Sequence, residues 1–389
     1  MVVLGSVMAI APLSIDMYLP AFPALAREFD ASASVVQLTL TACVAGLALG
    51  QLLVGPLSDR FGRRSPLIAT LITYAAASLL CSFAPSVVVL MALRFVQGLA
   101  GAGAVVIVGA VVRDLYSGAA AARLFSSLIM VMGLAPILAP LAGAQVLALT
   151  SWRGIFLVLA LLSALIAALV AVGLGETLAQ ERRSTRGLGH TLQTMRALLR
   201  DRWFVGHALA GALGFGALFA YVAGSPFVLQ GIYGVSPQLY SVLFAMNGVG
   251  LIAASQVNAR LVGRFGPERL LRAGLLGIAA ASGTLLAVAL AGGLGVGATL
   301  VPMFVVVSSL PFVLPNSMAL ALSDHAAVAG TASALLGASQ FLMSALVAPL
   351  VGAGGTQSAV PMGAIMTVFA LAALATRHVA AGTRRRSAA

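Results

Sequence analysis

The chain has 389 residues, of which 61% are hydrophobic and only 8% charged, with a net charge of +12 and a mean hydropathy of +1.07. No water-soluble domain needs that composition, so lipid must be part of the solvent, and spans of roughly 20 apolar residues account for the long uncharged runs. The basic excess does not mark a nucleic-acid face: all 22 basic residues are arginines grouped in particular short loops, which is the pattern of a topology signal.

Twelve helical spans are expected, over residues 2–24, 35–57, 66–84, 86–109, 122–147, 154–174, 203–224, 237–257, 271–290, 296–319, 326–350 and 358–376. Helices are favoured over barrel strands because the runs are long, rich in Ala, Leu and Gly, and lack period-two alternation. The 42 glycines, unfavourable in a soluble helix, let membrane helices approach closely. Met1-Val2-Val3-Leu4 enters the first run with no basic leader, so no secretory signal is expected. Cys43 and Cys81 fall within spans and are read as packing residues, and four scattered histidines show no metal spacing.

In the first span, Asp16 lies between Pro12 and Pro20, two residues that can bend or break a helix. A carboxylate there either faces a polar cavity, where it can bind a proton on one side of the membrane and release it on the other, or marks a tilt that leaves it at the outer interface. After the second span comes Gly55-Pro56-Leu57-Ser58-Asp59-Arg60-Phe61-Gly62-Arg63-Arg64. Gly55 and Gly62 permit close approach and a tight turn. Asp59 can cap or approach a neighbouring helix N-terminus, and Arg60 and Arg63 can pair with acidic groups or lipid phosphates. A plain positive-inside anchor explains the same run equally well.

Arg94 lies inside the fourth span with Gln97 three residues later on the same face. An upright helix does not let Arg94 reach water, so it either pins helices together or serves a transport or proton site. Arg113-Asp114 at the end of that span reads as a local ion pair. In the fifth span, Pro136 and Pro140 should bend the helix, and Gly143 and its small neighbours can seat it on a partner. Trp152 and Arg153 fit an interface anchor.

The polar segment from Gly175 to Arg202 divides the chain into two sets of six spans, and its Glu181-Arg182-Arg183-Ser184-Thr185-Arg186 run reads as a solvated linker touching anionic lipid. Arg60-Phe61-Gly62-Arg63 after span two is echoed by Arg264-Phe265-Gly266-Pro267-Glu268-Arg269 after span eight, the kind of repeat found in alternating-access carriers. Alternate loops and both termini hold nineteen arginines, the opposite loops only Arg27 and Arg153, and Arg94 stays inside a span. That asymmetry places both ends and the linker in the cytoplasm.

Together these runs resemble the major facilitator superfamily drug:proton antiporters, specifically the Bcr/CflA group of bacterial multidrug exporters. The Gly55–Arg64 run is similar to the superfamily signature after span two. Arg94, Gln97, Gly98 and Gly101 resemble its span-four pattern, and Pro136, Pro140 and Gly143 the span-five antiporter motif, with Ala135 where a glycine commonly precedes the first proline. Ser14-Ile15-Asp16-Met17-Tyr18-Leu19-Pro20-Ala21-Phe22-Pro23 resembles the group's first span. The resemblance covers essentially the whole chain.

It implies an all-α major facilitator fold in the bacterial inner membrane, with six-helix bundles at 1–175 and 203–389 rocking about a central cavity and a cytoplasmic linker at 176–202. Drug efflux is then driven by inward proton flow, with protons as the coupling ion and no other cofactor. Asp16 becomes the proton carrier, Arg94 tunes its charge or couples proton and drug states, and Asp59 and Arg60 belong to the gating network. The candidate cavity residues are Asp16, Tyr18, Arg94, Gln97, Phe215, Phe219, Tyr221 and Phe227, although each aromatic reads more readily as ordinary helix packing or an interface belt. Pro226, Asn247, Gln256, Asn316 and Gln340 are open as cavity or packing residues. The implied substrate is a neutral or cationic amphiphile, of phenicol, bicyclomycin or lipophilic-cation type, handled by a monomer among membrane lipids with no nucleic-acid partner. A facilitator or importer on the same scaffold is the first alternative, and a non-transporting receptor or scaffold the second. An enzyme is not expected, because no paired nucleophile and base, metal cluster or carboxylate pair is present.

Overall fold

The computed structural model describes residues 2–116, 118–183, 188–325, 328–355 and 358–387. Among them every regular element is helical, and twelve segments are long and apolar enough to cross a membrane. The first span is composite: α1 (Val2–Asp16), a 3-10 turn (Leu19–Ala21) and α2 (Phe22–Glu28). Then follow α3 (Ala33–Phe61), α4 (Arg64–Ser82), α5 (Val87–Leu115), α6 (Gly118–Leu149) and α7 (Trp152–Gly173). The linker holds a helix that its polar composition did not announce, α8 (Leu188–Leu198), while Ser184, Thr185 and Arg186 of the expected solvated run lie outside the described residues.

The second half opens with α9 (Arg202–Pro226), which passes into a π-turn (Phe227–Ile232), and continues with α10 (Pro237–Phe265) and α11 (Pro267–Ala291). The tenth span is again composite, α12 (Gly295–Ser309) and α13 (Leu314–Leu322) about a 3-10 turn at Leu310–Phe312, and α14 (Ala329–Ala353) and α15 (Val360–Ser387) complete the chain. Several helices overrun the expected spans at the linker end, α3 reaching Phe61 and α10 Phe265. A helix satisfies its own backbone, so polar residues end the lipid crossing without ending the helix.

Helix starts follow local chemistry. At the end opposite the linker, Ser32, Ser86 and Ser236 accept from the amides three residues on, and Ser151 from Arg153, so α3, α5, α7 and α10 all begin on a serine cap. At the linker end Asp201 caps α9 through the Trp203 amide at 2.8 Å. Packing between helices rests on small residues, as expected where lipid removes the hydrophobic drive. A Cβ on Gly46 or Gly98 would strike the backbone of the facing helix, which is how α3 and α5 come together.

The two halves meet chiefly along two helix pairs, α3 with α14 and α6 with α10. Gly337 sits on Gln51, Gly352 on Gln37 and Ser34, and Gly248 on Ile137. Cys43 and Cys81 are buried free thiols. Trp152, at the start of α7, packs inside the protein. It is 1% exposed, its Nε1 donates to Glu28 Oε2 at 2.6 Å, and Arg153 pairs with the same carboxylate and lies over the indole ring. A nearby acceptor on α2 turned the ring inward, which no loop-charge pattern could announce.

Candidate functional site

α1 ends at Asp16, and Pro20 opens the 3-10 turn that follows. Asp16 is 7% exposed and makes no hydrogen bond or ion pair with a described residue. Gly143 explains the tightness of this bend: a Cβ there would collide with the Met17 carbonyl, so the Pro136/Pro140/Gly143 run of α6 seats directly on the residue after Asp16. Both prolines lie within one continuous α6. From the second half, α9 and α10 pack against the 3-10 turn that follows Asp16.

Arg94 is fully buried and has no acidic partner among the described residues. Its Nη1 donates to Ser14 Oγ at 3.1 Å and to Gln97 Oε1, and its Nη2 to the Ser14 carbonyl at 3.0 Å. Gln97 Nε2 in turn donates to Ser78 Oγ at 2.7 Å. The guanidinium carbon lies 4.9 Å from the Tyr18 ring centre and 5.6 Å from that of Phe156. Neutral oxygens and ring faces thus solvate the charge in place of water. Arg94 reaches α1 at Ser14, two residues before Asp16, rather than at the carboxylate. The Gln97 contact follows the expected three-residue spacing.

The aromatic candidates separate into groups. Tyr18 turns into the first half, where its hydroxyl meets Thr39 Oγ1 at 3.0 Å. Tyr221 accepts from Asn247 Nδ2 at 2.7 Å and stacks on Phe244, which also touches Tyr240. Tyr240 reaches Ser225 at 3.2 Å. Phe215 packs between Phe219 and Phe341. Phe227 instead meets Phe22 at the junction of the halves, 5.8 Å between ring centres. Asn316 pairs with Asn258 away from this cluster.

At the linker end Arg63 is the hub. Its Nε donates to Asp114 Oδ2 at 2.9 Å, and its Nη1 to Asp59 Oδ1 at 2.5 Å and Ser58 Oγ at 2.8 Å. The expected Arg113–Asp114 pair is therefore corrected: adjacent helical residues point apart, and Asp114 faces Arg63 across the bundle. Gly62 makes the turn at φ 91°, and there Glu176 accepts from the amides of Arg63, Arg64, Thr177 and Leu178. Burial works to raise the Glu176 pKa, but those amides outweigh it and hold the carboxyl below its ordinary value. Arg64 donates to the Ala171 carbonyl at 2.6 Å, and Arg60 lies over Phe61. Asp59, half exposed, borders a cavity of about 310 Å³ between the halves with Gly55, Arg113, Gly330 and Thr331.

Sequence reasoning gave no role to Ser14, Ser78 or Glu176. Ser14 and Ser78 were findable as polar residues inside apolar spans. Glu176 carried no signal, since its importance comes from lying beside Gly62 in space.

The Major Facilitator Superfamily pattern matches residues 4–348. The uncharacterized MFS-type transporter YdgK of Bacillus subtilis is 42% identical over 95% of this chain and 92% of its own. A bicyclomycin resistance protein homolog of Haemophilus influenzae is 36% identical over 95% of this chain and 94% of its own. A chloramphenicol resistance protein of Pseudomonas aeruginosa is 34% identical over 84% and 77%. Among solved structures, an inward-facing, occupied bacterial homologue of the human lysosomal transporter Spinster superposes with a TM-score of 0.78 at 15% identity, covering 98% of this chain and 96% of that one. A D-xylose-proton symporter superposes with a TM-score of 0.73 at 16% identity, covering 96% of each chain. These last two likenesses concern the fold alone. The family and these neighbours are transporters rather than enzymes. The chain therefore belongs to the Major Facilitator Superfamily of multi-pass membrane transporters, within the Bcr/CflA-type branch that its motifs resemble.

Proposed function

We propose that this protein exports small amphiphilic drugs or antibiotics by alternating access, coupled to protons. The observation that carries the reading is Asp16: a buried carboxylate without a hydrogen-bonding or ionic partner among the described residues, at a break in the first span that the opposite half packs against. Such a group changes its exposure to water when two halves rock, and can take a proton on one side and yield it on the other. Asp16 is the proton carrier and the group that answers to drug. Arg94 acts on it indirectly, by fixing the last turn of α1 through Ser14. Gly55, Asp59, Arg60, Gly62, Arg63 and Arg64 form the gate at the linker end, and Pro136, Pro140 and Gly143 form the bearing surface under the Asp16 turn.

The substrate class rests on relatives named for bicyclomycin and chloramphenicol resistance. The site offers one carboxylate with aromatic and amide neighbours, which suits a cationic or hydroxyl-bearing amphiphile. Residues 1–175 and 203–389 are the rocking bundles, joined at 176–202. Arginine placement puts both termini and the linker in the cytoplasm of a bacterial inner-membrane protein. The unit acts as a monomer with protons as its only coupling agent, and no nucleic-acid role is proposed.

Inverted vesicles carrying the wild type should accumulate drug when a proton gradient is imposed, and Asp16→Asn should abolish that accumulation at equal membrane abundance. Unchanged accumulation in Asp16→Asn would remove Asp16 from the mechanism. A growth-protection screen over many antibiotics in a pump-deficient strain, with Arg94→Ala alongside, should narrow the substrate class.

A further inference from the structure

We propose that Gln37 is a reversible latch that holds the halves together at the end opposite the linker, through its hydrogen bond to the Ala223 carbonyl. Gln37 lies on α3 and is 1% exposed, and its Nε2 donates to Ala223 of α9 at 2.8 Å. The acceptor is available for a local reason. Pro226 has no amide hydrogen, and the Phe227 amide turns back to the Gly224 carbonyl as α9 gives way to the π-turn. The Ala223 carbonyl, four residues before Phe227, thereby takes a donor from outside its own helix. A second element of the same half closes on the same amide. A Cβ on Gly352 of α14 would meet Gln37 Oε1, so glycine is what admits the side chain there.

The amide is only half satisfied. Gln37 Oε1 is buried without a partner among the described residues, and beside it is a cavity of about 10 Å³, close to the size of a single water. The Nε2 bond is strong while water is excluded, whereas the unpartnered Oε1 disfavours the closed state. Once water enters, both ends of the amide are hydrated and the tie is released. An apolar side chain here would lack the tie, and a charged one would resist closure. A neutral, half-satisfied amide therefore suits a contact that must form and break in every cycle. Phe22 against Phe227, and Gln230 donating to the Pro20 carbonyl at 3.4 Å, lie at the same junction, so losing the latch should shift closure rather than abolish it.

The inference rests on the transport reading, because it needs halves that move, but its test reads conformation and not export. Ala33 borders the same cavity and is 7% exposed. In purified full-length protein in nanodiscs carrying Ala33→Cys, the rate of reaction with a hydrophilic maleimide reports opening. Cys43 and Cys81 are buried, and their background is measured in the parent protein. Adding Gln37→Ala should accelerate labelling about fivefold, the effect of one lost hydrogen bond on a two-state equilibrium. Gln37→Glu keeps the length but can donate to Ala223 only when protonated. Its rate relative to the parent should therefore rise from acid to alkaline pH.

Parental rates in both variants at every pH would overturn the latch. A faster Gln37→Ala with no pH dependence in Gln37→Glu would overturn it as well, by assigning Gln37 to packing alone. The expected labelling in a protein that exports nothing would support the latch and overturn the export reading.

Discussion

After its second span each half turns on a glycine, Gly62 with φ 91° in the first and Gly266 with φ 76° in the second. Each turn follows a 29-residue helix, and each sets an arginine over the next aromatic, Arg60 over Phe61 and Arg264 over Phe265. Beyond the glycine the two diverge. In the first half, Arg63 gathers Asp59, Asp114 and Ser58 while Glu176 gathers four backbone amides. In the second, Pro267 starts α11 and places Glu268 in its first turn, where the helix dipole favours it, and no ion pair among the described residues ties the turn. The backbone of the turn is a local property that a repeat can carry. The clamp depends on α5 and on the segment after α7, which only the first half supplies.

Substitutions at matched positions should break this parallel unequally. The largest effect is expected from Arg63→Ala, which strips two carboxylates of their partner and should lower stability by about 3–5 kcal/mol, read as thermal unfolding in detergent. Next is Gly62→Ala. Its backbone lies in a region almost reserved for glycine, at a cost of about 1–3 kcal/mol, and the new Cβ would also strike the Glu176 carboxylate. Gly266→Ala meets no neighbouring atom, so it should lose only the backbone part, and equal losses at the two glycines would mean the clamp adds nothing.

A pH series isolates the clamp itself. The Glu176 pKa is lower folded than unfolded, so its stabilisation is fully present above the ordinary 4.5 and disappears as pH falls through the folded value. Glu176→Gln should flatten that acid limb of the melting temperature, and an unaltered limb would shift the effect to other carboxylates. The smallest change is expected from Arg264→Ala, within about 0.5 kcal/mol of the parent, because that arginine is exposed and holds no carboxylate among the described residues.

Much of the site was legible as cost. Asp16 and Arg94 stand out because a charge inside an apolar run needs a reason, and Gln97 follows from helical spacing. The partners were less legible. Arg94 is held by Ser14, a residue with no charge to betray it, and Asp114 belongs to Arg63 and not to its neighbour Arg113. The aromatic candidates share a composition but not a place: Tyr18 turns into the first half, Tyr221 joins Asn247, and Phe227 caps the junction. A side chain's hydropathy says that it is buried without saying against what.

Sequence alone determined the solvent, the number of spans and the turn glycines, because each follows from the chemistry of a short stretch: backbone groups in lipid must bond within their own helix, and a positive φ calls for glycine. Only the tertiary structure decided which helices touch. It brought Gly143 under the Asp16 turn, Glu176 onto the amides of Arg63 and Arg64, and Gln37 to a carbonyl released 186 residues away. Those pairings depend on close packing between helices far apart in the chain, and no local pattern of hydropathy or charge records it.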